Sequence, residues 1–148
     1  EQAIKNSITP VVCIGYKDAL RELRSVINSF SAEEVGKMIF AYEPTEAVGS
    51  GDPADPDSIN LIFRKVRRLI YKRFKNKSAL RFLGVGGKKN NIPRPALLYG
   101  GSVNVTNYKK YLKIPDLAGF VIGKESFSPQ NVKEIATNLG VNENKKSI

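Results

Sequence analysis

Ala41-Tyr42-Glu43-Pro44-Thr45-Glu46-Ala47-Val48-Gly49-Ser50-Gly51 joins a strand, a carboxylate and a glycine-hinged loop in one short segment. The apolar run Met38-Ile39-Phe40-Ala41-Tyr42 leads into it and ends on Glu43. Pro44 stops a strand there, because it has no N–H to give a sheet ladder. A short loop follows, closed by Gly49 and Gly51, and a helix signal comes next. A carboxylate at the C-terminal end of a strand, beneath a glycine-hinged loop, is what a proton-abstracting site under a mobile lid needs.

Outward from this segment the pattern alternates. Residues 1–7 read as the tail of a helix, and residues 8–14 as a short β-branched strand ending at Gly15. Residues 17–30 place Leu20, Leu23, Val26, Ile27 and Phe30 at helical spacing. Ser31 with Glu34 forms a capping-box pattern for a short helical turn, and residues 37–42 are the next strand. Asp52 to Asp57 supply cap residues, and Pro56 suits a first helical turn. The helix predicted over 56–74 carries the stripe Ile59, Ile62, Phe63, Val66, Leu69, Ile70 and Phe74. A third strand is predicted over 95–99, a short helix over 104–112, and a fourth strand over 117–122 ending at Gly123. Ser128 and Pro129 open a last helix to Leu139, which Gly140 ends, leaving a polar tail over 141–148. Four strand–helix units predict an α/β fold with a parallel sheet, crossover helices and a site at the C-terminal ends of the strands.

Composition narrows the chemistry. The length of 148 residues fits one domain with a real core. No apolar run is long enough to cross a bilayer, so no membrane partner is expected. The first residues lack signal-peptide features and an initiating Met, which predicts a chain cut from something longer or processed. There is no His, which removes Ser–His and Cys–His catalysis, most zinc sites and any imidazole acid–base step supplied by these residues. Cys13 is the one cysteine, so no disulfide framework or thiol cluster forms within the chain; it reads as a buried core thiol. No metal and no cofactor are expected.

The net charge is +10, unevenly placed. Residues 58–115 hold no acidic side chain and fifteen Lys and Arg, twelve of them over 64–94. Such a field favours anionic partners or forms a solvated basic face. Tyr71, Phe74 and Phe82 read as core, so RNA stacking is not indicated and a nucleic-acid partner is not expected. The glycines at 84, 86 and 87 lack Walker spacing and read as loop.

Three motifs together resemble the triosephosphate isomerase family. They are Ala41-Tyr42-Glu43-Pro44 with Gly49-Ser50-Gly51, then Tyr99-Gly100-Gly101-Ser102-Val103-Asn104, then Gly119-Phe120-Val121-Ile122-Gly123. Thr9-Pro10-Val11-Val12-Cys13-Ile14-Gly15 adds a fourth segment. The similarity spans residues 1–139 and implies the TIM (β/α)8 barrel family, with this chain a parallel half-barrel of the last four strand–helix units over 1–140. A full barrel takes roughly 250 residues.

The resemblance implies interconversion of dihydroxyacetone phosphate and glyceraldehyde 3-phosphate, a step of glycolysis and gluconeogenesis in the cytoplasm, by a homodimer when complete. Glu43 matches the base, which works only where water is excluded and burial raises its basicity. The lid comprises Pro44, Thr45, Glu46, Ala47, Val48, Gly49, Ser50 and Gly51, and continues to Ala54. The backbone N–H groups of Gly49, Ser102, Gly123 and Lys124 match the phosphate cradle. Tyr99 and Ser102 match hydroxyls that latch the closed lid near Ala54 and Gly51. Arg67 and Asp116 match a structural ion pair.

The departures are equally specific. The family's His electrophile and its phosphate-side Lys belong to the first four units, so the companion N-terminal half is the partner expected to complete the site. Lys124 stands where the family usually has a second glycine, which tolerates positive φ more readily. Glu46 replaces a lid Trp, and Tyr16 replaces the Glu that this Trp meets. Donor and acceptor have exchanged places, which predicts a Tyr16 hydroxyl donating to Glu46. Asn76 to Arg94 looks longer than the family's link between these elements, so about ten residues there read as an insertion. The alternative function is a non-catalytic phosphate- or nucleic-acid-binding half-barrel whose open sheet edges drive assembly.

Overall fold

The computed structural model describes residues 1–75 and 92–143, and of residues 140–143 the backbone alone. Most of the insertion expected between Asn76 and Arg94, with Phe82 and the 84–87 glycines, lies outside the described residues, as does the end of the polar tail.

Local chemistry sets the helices. After α1 (Gln2–Lys5) comes α2 (Ala19–Ser29), whose start is fixed by Asp18: its carboxylate accepts from Leu20 N–H and Arg21 N–H. The capping box at Ser31 and Glu34 is formed in both directions and opens α3 (Ala32–Gly36). Asp55 caps α4 (Pro56–Lys75), accepting from Asp57 N–H and Ser58 N–H at 3.0 Å each. The final helix, α5 (Pro129–Glu143), runs past Gly140 rather than stopping there. A glycine inside a helix costs only about 1 kcal/mol relative to Ala, and is no obligatory stop.

The strands are β1 (Val11–Ile14), β2 (Ile39–Tyr42), β3 (Ala96–Gly100) and β4 (Leu117–Val121). They form one sheet in chain order, every neighbouring pair parallel. β1 begins later than the 8–14 prediction: α1 and the turn after it reach Ile8, whose N–H bonds to Ala3 C=O. The expected helix over 104–112 is a run of turns with a 3-10 helix at Tyr108–Tyr111. Asn104 Oδ1 caps Thr106 N–H and Asn107 N–H, and the backbone bonds that follow close three residues apart, Lys110 N–H to Asn107 C=O at 3.2 Å and Leu112 N–H to Lys109 C=O at 3.3 Å, which is the 3-10 pattern. A second 3-10 helix, Lys124–Phe127, follows β4.

Strand alternation gives the sheet two faces. The register aligns Ile14, Tyr42, Tyr99 and Phe120 across one row, and Val12, Phe40, Leu97 and Leu117 across another. These pack on the helices, where Leu23 and Ile27 of α2, Phe63, Val66 and Ile70 of α4 and Ile135 of α5 are buried. Tyr71, expected in this core, faces outward and is half exposed, with the Lys75 ammonium over its ring. The other face carries Val11, Cys13, Ala41, Leu98 and Gly119. On that face Ala41 is fully buried and Leu98 partly so while Cys13 is exposed, and among the described residues β1 and β4 each have one unpaired edge.

Candidate active site

Glu43 is the residue after β2, so alternation aims it to the same side of the sheet as Ala41 and Cys13. Its N–H bonds to Ile14 C=O at 2.8 Å, which fixes the backbone where the strand ends. Gly100 makes room for the side chain: a Cβ there would lie 2.8 Å from Glu43 Cγ. Cys13 Sγ donates to Glu43 Oε1 at 3.3 Å. The expectation of a buried core thiol is therefore corrected: Cys13 is exposed, on the face away from the helices. Partial desolvation, the bond to Glu43 and the carboxylate's charge all push its thiol pKa up.

Pro44 is buried, and the candidate lid, the loop over 44–54, springs from it: Ala47 N–H and Val48 N–H both bond to Pro44 C=O. Gly49 and Gly51 take φ of +70° and +82°, which side chains disfavour, and bend the loop back. Ser102 then ties it on two sides: its hydroxyl accepts from Gly51 N–H at 3.0 Å and donates to Ala47 C=O at 2.8 Å. The Tyr99 hydroxyl accepts from Ala54 N–H at 2.9 Å and donates to Gly101 C=O at 2.9 Å. Ser50 Oγ accepts from Asp52 N–H at 3.0 Å and steadies the tip.

The first hinge differs from expectation. Among the described residues no hydrogen bond joins the Tyr16 hydroxyl to Glu46, and both side chains are exposed. The tie is backbone-directed instead: Thr45 Oγ1 donates to Tyr16 C=O at 2.6 Å. The charge of Glu46 is felt by Tyr42 and Tyr99, whose phenol pKa values desolvation already raises.

Beneath the lid is a cavity of about 320 Å³, with Glu43, Gly49, Gly51, Ser102, Gly123 and Lys124 on its walls. Lys124 has no positive φ, so a side chain is tolerated at that position. Ser102 does, at +52°, a strained conformation for a non-glycine residue that its two lid bonds hold in place. Glu125 also borders the cavity, its carboxylate held by Asn131 Nδ2 at 2.6 Å. Among the described residues no group of His, Cys, Asp and Glu converges as a metal site would.

Arg67 lies elsewhere. Its Nε donates to Asp116 Oδ1 at 2.9 Å and its NH1 to Pro95 C=O at 2.7 Å. Asp116 and Pro95 precede β4 and β3, so the pair braces α4 at the strand ends opposite the cavity. Arg94 joins the same carboxylate oxygen at 2.9 Å. Desolvation draws the Arg67 pKa down against the pull of Asp116.

Four contributors escaped the sequence reading. Glu22 accepts from Gly15 N–H at 2.7 Å and Lys17 N–H at 2.9 Å, ordering the loop after β1. Tyr111 donates to Ala54 C=O at 3.0 Å. Cys13 touches the candidate base, and Gly100 clears space for it. Only the last two had a usable signal, since strand parity places both on the face of Glu43.

The triosephosphate isomerase family model matches residues 1–139. Curated relatives of that name include the protein of Buchnera aphidicola subsp. Acyrthosiphon pisum, 30% identical over 88% of this chain and 50% of its own length. The Protochlamydia amoebophila protein is 28% identical over 95% of this chain and 52% of its own. The Lactobacillus gasseri protein is 26% identical over 85% and 49%. The chain thus spans about half the length of the curated relatives it matches.

Proposed function

The chain belongs to the triosephosphate isomerase family, and from that premise we propose that it supplies the base, lid and phosphate cradle of a triose-phosphate isomerase. The observation that carries this is the convergence of Glu43, the lid glycines and Ser102 on one cavity, with the lid tied down at Gly51 and Ala54. In this reading Glu43 removes a proton from the carbon beside the carbonyl of dihydroxyacetone phosphate. The electron pair forms an enediolate, the hydroxyl proton passes from the first oxygen to the former carbonyl oxygen through the electrophile of the other half, and the same carboxyl group returns its proton to the neighbouring carbon, giving glyceraldehyde 3-phosphate. No bond to the enzyme forms. The N–H groups of Gly49, Ser102, Gly123 and Lys124 hold the phosphate dianion, with the Lys124 ammonium adding charge. Tyr99 and Ser102 keep the lid down while the enediolate exists, shielding it from water.

In the family a Glu base works with a neutral His electrophile, a known case of pKa tuning. None of the 148 residues is His. We therefore assign polarisation of the carbonyl to the first four strand–helix units, which would pair with the open edges of β1 and β4. Arg67 and Asp116 act structurally. The complete barrel would act in the cytoplasm as a homodimer, as its family resemblance implies.

The test is turnover of glyceraldehyde 3-phosphate by this chain alone and mixed with a polypeptide carrying the first four units. The reading expects turnover only in the mixture. Equal activity from the chain alone would overturn the assignment of a second catalytic half. No activity from an assembled mixture would count against the isomerase itself.

A further inference from the structure

We propose that the outward face of α4 binds single-stranded nucleic acid, with its cations on the phosphates and the Tyr71 ring on a base. The inference goes beyond the isomerase reading and does not depend on it.

Helical geometry sets the face. Arg64, Lys65, Arg68, Lys72 and Lys75 are all exposed, and so is Tyr71. At about 100° per residue, these side chains fall within about 120° of the helix surface. The opposite stripe, from Ile59 to Phe74, is buried in the core, so α4 presents this face and no other to solvent. Arg67 and Arg73 serve packing instead. Arg67 is bound to Asp116, and Arg73 Nε donates to Asn28 Oδ1 of α2 at 3.0 Å.

The five cations of the face are uncompensated. Among the described residues none of them has a carboxylate within ion-pair distance. Residues 58–115 hold no acidic side chain, so none of the five has an i+4 carboxylate in the helix. A helix face that serves solubility mixes the two signs at that spacing. Here Arg64, Arg68 and Lys72 stand four residues apart, where like charges repel. A polyanion relieves that repulsion. Each step along the row is about 6 Å, so one strand can lay successive phosphates along it. The guanidinium groups of Arg64 and Arg68 suit bidentate contacts to phosphate oxygens.

Tyr71 decides the kind of polyanion. The expectation against RNA stacking took this residue as core, yet it stands 50% exposed among the cations. A half-exposed ring beside phosphate-binding cations is a platform for an unpaired base. An anionic bilayer fits less well. An interfacial helix sinks a whole apolar face into the headgroups, whereas the apolar stripe of α4 is spent on the core. Its exposed apolar side chains are Tyr71 and Leu61, separated by nearly three turns.

Fluorescence anisotropy of a labelled oligouridylate, about 12 nucleotides long, titrated with the full chain tests this. With five phosphate contacts the logarithm of affinity should fall against that of salt with a slope of about −3.5, roughly a hundredfold loss between about 50 and 200 mM. Replacing Arg64, Arg68 and Lys72 together by Gln should flatten the slope by about 2. Tyr71→Ala should weaken binding about tenfold and leave the slope unchanged. The same loss of charge elsewhere, at exposed Lys5, Lys17 and Lys133, should change affinity little. An equal loss from that control would mean that net charge alone acts, and the proposal fails. It fails too if the oligonucleotide does not bind at about 50 mM salt, or if Tyr71→Ala binds as tightly as the unaltered chain. Capture by phosphatidylserine vesicles without oligonucleotide binding would make a lipid surface the partner and overturn it.

Discussion

At Glu43 three neighbours decide what the carboxylate can do: a strand end that aims it, a glycine that admits it and a thiol that donates to it. The Gly100 contact predicts that Gly100→Ala pushes the carboxylate aside. In the completed enzyme, kcat should fall about a hundredfold with KM little changed, as small displacements of a catalytic group do; steady-state kinetics measures it. The Cys13 contact predicts a second outcome. The Glu43 charge adds to desolvation in holding the Cys13 thiol protonated. Glu43→Gln should therefore increase the rate of alkylation of Cys13 by iodoacetamide at pH 8, where thiolate fraction limits reaction. Equal rates would mean that the two side chains do not meet. The Glu43–Pro44 end of the strand and the glycines of the lid were legible because they are backbone chemistry written in residue type. The exposure of Cys13 was not. In a full barrel its face would be interior, and a run of Val-Val-Cys-Ile does not tell which of two faces is covered. The expected Tyr16–Glu46 bond is likewise not among the hydrogen bonds of the described residues, and Tyr16 stands 73% exposed.

Among the elements, α4 carries most of the lid's foundation. Its 3.6-residue stripe was readable over nearly its whole length, and the structure buries Ile59, Phe63, Val66, Ile70 and Phe74 along it. Its cap at Asp55 directly follows the lid. Asp55→Ala should cost about 1 kcal/mol of stability, as loss of an N-cap usually does. Arg67→Met removes bonds to Asp116 and Pro95 from the far end of the sheet, leaving Asp116 with Arg94. The expected cost is about 2 kcal/mol, the scale of a lost charge-assisted hydrogen bond, read from urea unfolding with catalytic geometry untouched. The stretch from Asn104 to Tyr111 was harder to read. Its apolar and aromatic spacing suits a helix, but its backbone bonds close three residues apart and leave a 3-10 turn. That turn is what places Tyr111 under the lid, a placement no local pattern announces.

At the scale of the whole molecule, four parallel strands in chain order leave two unpaired edges among the described residues. The order and direction of the strands followed from alternation, because parallel neighbours need crossover connections. What covers the open edges did not follow, since alternation fixes the order and direction of strands and not the partner of an edge. The core also sets a pH limit. Tyr42, Tyr99 and Tyr111 have raised pKa values, chiefly through desolvation. Folding keeps these phenols protonated, so their contribution is whole below the unfolded phenol value of about 10 and declines as pH rises above it. Urea midpoints should thus fall from pH 10 upward, less steeply in Tyr42→Phe. In our proposal Glu43 is the proton-transferring base of a site completed by another half-barrel. Turnover of glyceraldehyde 3-phosphate by the assembled halves, with Glu43 and with Glu43→Gln, tests it most directly. With Glu43 as the base, kcat should fall at least about a hundredfold in Glu43→Gln, the scale of removing a general base. Undiminished turnover in an assembled Glu43→Gln enzyme would contradict it.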